Sequence, residues 1–169
     1  MRYRVKHQQS DKVRQVIVNC VIKAEQAFKR TFPVPSCHFN VRGKAAGKAY
    51  LQRNEIRLNP ILFDENPTAF FKEVIPHEVA HLITYQIYGR VQPHGKEWQN
   101  IMENVFQVPA KTTHSFDVAS VQGKTFEYRC HCTTYPLSIR RHNKVQRNQA
   151  TYSCQKCRCL LAFTGVQLS

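Results

Sequence analysis

The chain has 169 residues, 42% of them hydrophobic, and 25 Lys and Arg against 11 Asp and Glu give a formal net charge of +14. That length suits one ordinary domain, or one domain with a small module, and the apolar content is sufficient for a core, which excludes a disordered or fibrous chain. The first fifteen residues are polar and basic, and the early apolar run "VIVNCVI" is short and interrupted by Asn19, so a cytoplasmic location with no signal peptide and no membrane contact is expected.

The charge is uneven along the chain. Residues 1–50 carry 11 basic and 2 acidic side chains, residues 51–119 carry 6 and 8, and residues 120–169 carry 8 and 1. Both ends should therefore attract polyanions while the middle stays nearly neutral. Seven cysteines, five of them within residues 130–159, suit reduced thiols and metal ligation better than a secreted disulfide framework.

From Asp11 to Phe32 the apolar positions Val13, Ile17, Cys20, Val21, Ala24, Ala27 and Phe28 recur at three- and four-residue steps, which predicts an amphipathic helix. Asp11 near its start and Lys29 and Arg30 near its end would match the helix dipole. "CHFNVRG" and "GKAYLQRNEIRLNP" read as strands, the second a hairpin turning at "QRNE". Asn66 before Pro67 marks a helix start, and that helix runs to Tyr88 and stops at Gly89, with Pro76 interrupting it. "GKEWQNIMENVF" predicts a second helix with Trp98, Ile101, Met102 and Val105 toward the core. From about residue 120 the chain becomes basic, strand-like and cysteine-punctuated, placing a boundary near 118–123 between a domain over 1–119 and a module over 120–169.

"PHEVAH" sets His77 and His81 four apart, on one helix face, where two imidazoles can bind one zinc ion. Glu78 beside them can serve as base toward a water at such an ion. A catalytic zinc needs a third protein ligand. Thr84 and Ile87 stand where the metzincin pattern needs glycine and histidine, which excludes that pattern. His94 is the preferred third ligand, because Gly89 and Pro93 let "GRVQPHG" fold back. Glu97, Glu103 and His114 are alternatives, with Glu97 better suited to supporting a ligand. Tyr85 and Tyr88 are candidates to stabilise an oxyanion, and the hairpin over 48–59 offers an edge for an extended peptide.

"YRCHC" and "YSCQKC" supply Cys130, Cys132, Cys154 and Cys157, two pairs that a β-ribbon can bring together around a structural zinc. His131, His142 and Cys159 are substitutes. "PLSIRRHNKV" between the pairs reads as strand and turn. Arg140, Arg141, Lys144 and Arg147 should lie along one exposed edge, with Tyr135 near for base stacking.

"PHEVAHLITYQIYGRVQPHGKEW", "VPAKTTHSF" and "YRCHC … RRHN … YSCQKC" together resemble the SprT family over nearly the whole chain, a family that includes the protease domain of Spartan. The resemblance implies an α+β, zincin-like metalloprotease domain, its helices packed on a small antiparallel sheet, followed by a zinc-ribbon β module. It further implies catalytic zinc on His77, His81 and His94, Glu78 as catalytic base, and proteins bound or crosslinked to DNA as substrates. DNA, single-stranded or structured, is the expected activator or tether. Against this stands a zinc-stabilised DNA-binding protein without hydrolytic activity; Glu78 favours the enzyme, since a purely structural site gains nothing from that carboxylate.

Overall fold

In a computed structural model, which describes residues 7–169, the first element is α1, His7–Phe28. Arg2, Arg4 and Lys6 of the basic amino-terminal stretch lie outside the described residues. Val13, Ile17, Cys20, Val21 and Ala24 form the buried stripe of α1, each 6% exposed or less, whereas Ala27 of the expected stripe is exposed. The helix stops at Phe28 because Lys29 turns left-handed, with φ of 53°. Lys29 and Arg30 therefore lie beyond the last turn and Asp11 lies past the first, so the expected match to the helix dipole is not made.

Three strands follow: β1, Ser36–Phe39, β2, Gly47–Tyr50, and β3, Glu55–Leu58. The sheet order is β1–β3–β2. The expected hairpin is present as the antiparallel β2–β3 pair, turned by Leu51–Arg53 and a left-handed Asn54, φ 48°. β1 runs parallel to β3, so the sheet is mixed rather than wholly antiparallel. The chain leaves β1, skips the place β3 later fills, and returns as β2, which leaves β2 at an edge.

Asn59, 1% exposed, ties this sheet to the next helix, α2, Pro60–Glu65. Its side-chain oxygen accepts from the N–H groups of Ile61 and Leu62, while its amide donates to the carbonyls of Gly43 and Ala45 just ahead of β2. Asn66, expected to cap the following helix, instead donates its side-chain amide to the carbonyl of Leu62 at 3.1 Å and closes α2. A helical turn, Pro67–Ala69, leads through a π-helical stretch, Phe70–Val74, into α3, Ile75–Tyr88. The interruption expected from Pro76 takes this π form: the wider turn precedes a residue that cannot donate to the ladder. α3 ends where Gly89 adopts a φ of 71° and donates to Tyr85. α4, Lys96–Asn100, continues as a second π stretch, Ile101–Val105.

The chain divides into two compact units, Met1–Val121 and Gln122–Ser169. In the first, α3 packs on α1, on β2 and on α4, so its buried residues sit at the centre of the core. The second is a sheet of β4, Thr125–Arg129, β5, Thr134–Ser138, and β6, Ala162–Gln167, in the order β5–β4–β6 with antiparallel pairs. Where a turn was expected after β5, the chain forms α5, Ile139–Gln146. Tyr128 and Leu137 are the large apolar side chains buried in this small unit. No helix among the described residues is long and apolar enough to cross a membrane.

Candidate metal centres

α3 presents His77 and His81 one turn apart on a single face, and the segment between α3 and α4 folds back to add His94. His94 takes a left-handed φ of 58°, between Pro93 and Gly95, and Gln99 fixes it by donating to its carbonyl at 2.9 Å. The three Nε2 atoms form a nearly equilateral triangle, 3.2 Å from His77 to His81 and 3.1 Å from His94 to each. Ligands about 2.0–2.1 Å from a tetrahedral zinc lie about 3.3–3.4 Å apart, so these three nitrogens fit one ion.

Trp98 forms the floor of the triad, a role that its placing among core residues in the sequence did not anticipate. Fully buried, it packs against His77, His81 and His94 with ring centroids 4.8, 5.5 and 4.7 Å away. Its indole N–H donates to the carbonyl of His77 at 3.3 Å. On the far side the backbone of Lys111 hydrogen-bonds the His77 ring. Burial, and then the neighbouring imidazoles, hold His77 down at about 4 and His81 at about 3, while burial lowers His94. All three are neutral near pH 7, the form that binds metal.

Glu78, 7% exposed, turns its carboxyl toward β2, where burial pushes its pKa up to about 8. Gly47 makes that placement possible: a Cβ there would stand 2.7 Å from Oε1 and 2.8 Å from Cγ of Glu78. Histidines, Glu78 and the whole of β2 line one cleft of about 770 Å³, closed on the other side by Pro109 and Lys111–His114.

The remaining candidates fall elsewhere. Glu97 makes no hydrogen bond to the triad, and its place in supporting His94 is taken by Gln99. Glu103 is exposed on the π stretch after α4. His114 lies on the cleft wall with Nε2 3.1 Å from the Lys44 carbonyl, outside the triad. Tyr85 and Tyr88 do not line the cleft; Tyr50, at the end of β2, does.

In the second unit Cys130, Cys132, Cys154 and Cys157 come together, all four sulfurs within 4.8 Å of one another. Cys132 Sγ lies 3.5 Å from that of Cys130 and 3.6 Å from that of Cys154. Sulfurs about 2.3 Å from a tetrahedral zinc would be about 3.8 Å apart, so this set also fits an ion. The Tyr135 hydroxyl, 3.1 Å from Cys154 Sγ, draws that thiol down to about 5, helped by backbone N–H groups. Tyr135 thus has its hydroxyl committed to the cluster. His142 is no ligand: it stacks on Phe126 at 3.8 Å and hydrogen-bonds the Tyr128 hydroxyl through Nδ1 at 3.0 Å. Cys159 stays outside the four and serves through its backbone, accepting from Cys154 N–H at 2.9 Å, and His131 is exposed in the turn between the first two cysteines. Arg140 and Lys144 share one exposed stripe of α5, Arg147 lies exposed just past its end, and Arg141 is beside them, 5.6 Å from the Tyr152 ring.

A helical pair of histidines joined by a third from the loop ahead of the next helix, beside a buried glutamate, gives an α+β unit that could hold a metal ion, followed by a cysteine-clustered second unit. The chain belongs to the SprT-like family, whose model matches residues 17–114. It is 74% identical over 160 residues to Protein SprT of Vibrio parahaemolyticus, covering 95% of this chain and 97% of that one. Protein SprT of Vibrio atlanticus is 64% identical over 161 residues (95% and 97%), and that of Pasteurella multocida 51% over 146 residues (86% and 88%). No solved structure matches.

Proposed function

We propose that this protein is a zinc metalloendopeptidase with a zincin-like catalytic domain over 1–119 and a zinc ribbon over 120–169, acting on proteins bound or crosslinked to DNA. The observation that carries the reading is the triangle of His77, His81 and His94 with the Glu78 carboxyl beside it in an open cleft. A zinc ion on the triad would supply a Lewis acid and lower the pKa of water at the site. His77, His81 and His94 hold that ion, and Trp98 and Gln99 hold the histidines. Glu78 accepts a proton from the attacking water and delivers it to the leaving amine. The free edge of β2, which lines the cleft, can pair with an extended substrate. Cys130, Cys132, Cys154 and Cys157 hold the structural zinc that a unit with so small a core needs to fold.

DNA as partner is supported by the +14 charge and by the basic stripe of α5. The test is cleavage of a DNA-bound protein by wild type and by Glu78→Gln, with single-stranded DNA present: the variant keeps its zinc and loses cleavage. Equal cleavage by both would overturn Glu78 as the base, and no cleavage by wild type would leave a zinc-stabilised DNA-binding protein as the better reading.

A further inference from the structure

The strands of the first sheet divide their side chains between two faces. Ile56 and Leu58 of β3, with Cys37 and Phe39 of β1, belong to the core. The opposite face carries Ser36 and His38 from β1, Glu55 and Arg57 from β3, and Lys48 and Tyr50 from β2. Register sets His38 opposite Arg57, and Arg57 opposite Lys48, so three basic side chains form a row across all three strands. With strands about 4.8 Å apart, the row spans about 10 Å. Arg53, in the β2–β3 turn, adds a fourth.

Glu55 is the carboxylate on this face. It bonds Arg57 Nε, and its pKa is lowered first by that hydrogen bond, with the charges of Arg57, His38 and Arg53 adding to it. The Arg57 guanidinium also lies 4.2 Å over the ring of Tyr50. Lys48 and Arg53 are exposed and take part in no ion pair among the described residues. Like charges directly opposite weaken a strand pair. Strand pairing alone therefore gives no reason for Lys48 to face Arg57. Lys48 and Tyr50 also line the cleft that holds the histidine triad.

We propose that this outer face of the β1–β3–β2 sheet binds the backbone of a single-stranded nucleic acid, laid along the rim of the cleft. The inference rests on the nucleic-acid partner proposed above and gives the first unit a contact of its own, in addition to the stripe on α5. Cations that track a phosphate backbone, with an aromatic ring among them, are the means by which single strands are held; an acidic peptide would have no use for the ring. A strand bound here keeps a protein attached to it beside the edge of β2, where an extended segment can enter the cleft.

The experiment measures binding of a fluorescent oligothymidylate to the zinc-loaded full chain across a salt titration. The proteins are wild type, Lys48→Glu/Arg53→Glu, and Arg140→Glu/Arg141→Glu, with Lys48→Gln/Arg53→Gln as the milder sheet variant should the charge reversal misfold. Each lost phosphate contact lowers the salt slope by about 0.7, so two lower it by about 1.4, and affinity near 100 mM salt falls about 25-fold. Unchanged affinity and slope in the sheet variants, with the α5 variant weakened, overturns this inference and leaves the DNA partner standing. No binding by wild type overturns both. Displacement of the oligonucleotide from the sheet face by polyglutamate of matching charge, as effectively as by unlabelled oligonucleotide, overturns the assignment to nucleic acid.

Discussion

Gly47→Ala isolates the placement of Glu78 from metal binding. The added Cβ would stand 2.7 Å from Oε1, 2.8 Å from Cγ and 3.0 Å from Cδ of Glu78, against an ordinary contact of about 3.4 Å or more. The carboxyl must therefore retreat by about 0.6 Å or more, or β2 must shift. Such overpacking costs about 1–3 kcal/mol of stability. A misplacement near 1 Å costs about 100-fold in rate, within the 10²–10⁴-fold that a general base contributes. The histidines take no part in this clash, so zinc content should match wild type while cleavage of casein or a DNA-bound substrate falls about 100-fold. Gly123→Ala, where the new Cβ meets nothing within 4 Å, is the control and should behave as wild type. Full activity in Gly47→Ala, with folding intact, would refute the assignment of Glu78 as base in this position.

Trp98→Ala removes the floor under three imidazoles and should weaken zinc binding at the triad about 10–100-fold, read by chelator competition, with a loss of about 3–5 kcal/mol in stability. Tyr135→Phe removes the hydroxyl on Cys154 and should speed zinc release from the cysteine site to a chelator, leaving the histidine site unchanged. The metal-free protein should lose thermal stability as pH falls. His77 and His81 have folded values of about 4 and 3, below their ordinary 6.5, so the neutral forms stabilise the fold above pH 6.5, and that contribution is lost between 6.5 and about 3. A melting temperature flat over that range in the first unit's transition would contradict the burial of the two rings.

Much of the site is legible in the sequence because its spacing is helical. His77 and His81 need only a continuous helix to meet, and His94 needs only a chain reversal, which Gly89 and Pro93 signal. The four cysteines come in pairs, and a hairpin suffices to join them. Gly47 is different: its role lies in a close approach between β2 and α3, 31 positions along, which no local pattern encodes. Trp98 reads as a core residue because it is one, and its second task depends on which rings stand above it. The two Asn-Pro pairs show how a local signal can be misassigned. Asn59 caps α2 while Asn66 closes it, and only the carbonyls of Gly43 and Ala45 near Asn59 tell them apart. α5 escaped notice because its eight residues are too few for periodicity to outweigh the β-prone run before it. The parallel placing of β1 is set by tertiary packing, which hairpin rules do not reach.

The most direct test of catalytic metal chemistry is elemental analysis coupled to proteolysis in wild type and His81→Ala. Wild type should hold two zinc ions per chain, one for each donor cluster, and cleave its DNA-bound substrate. His81→Ala should hold one, retained by the cysteines, and cleave nothing. Undiminished cleavage by a His81→Ala protein that has lost its zinc from the triad would contradict the role given to this site.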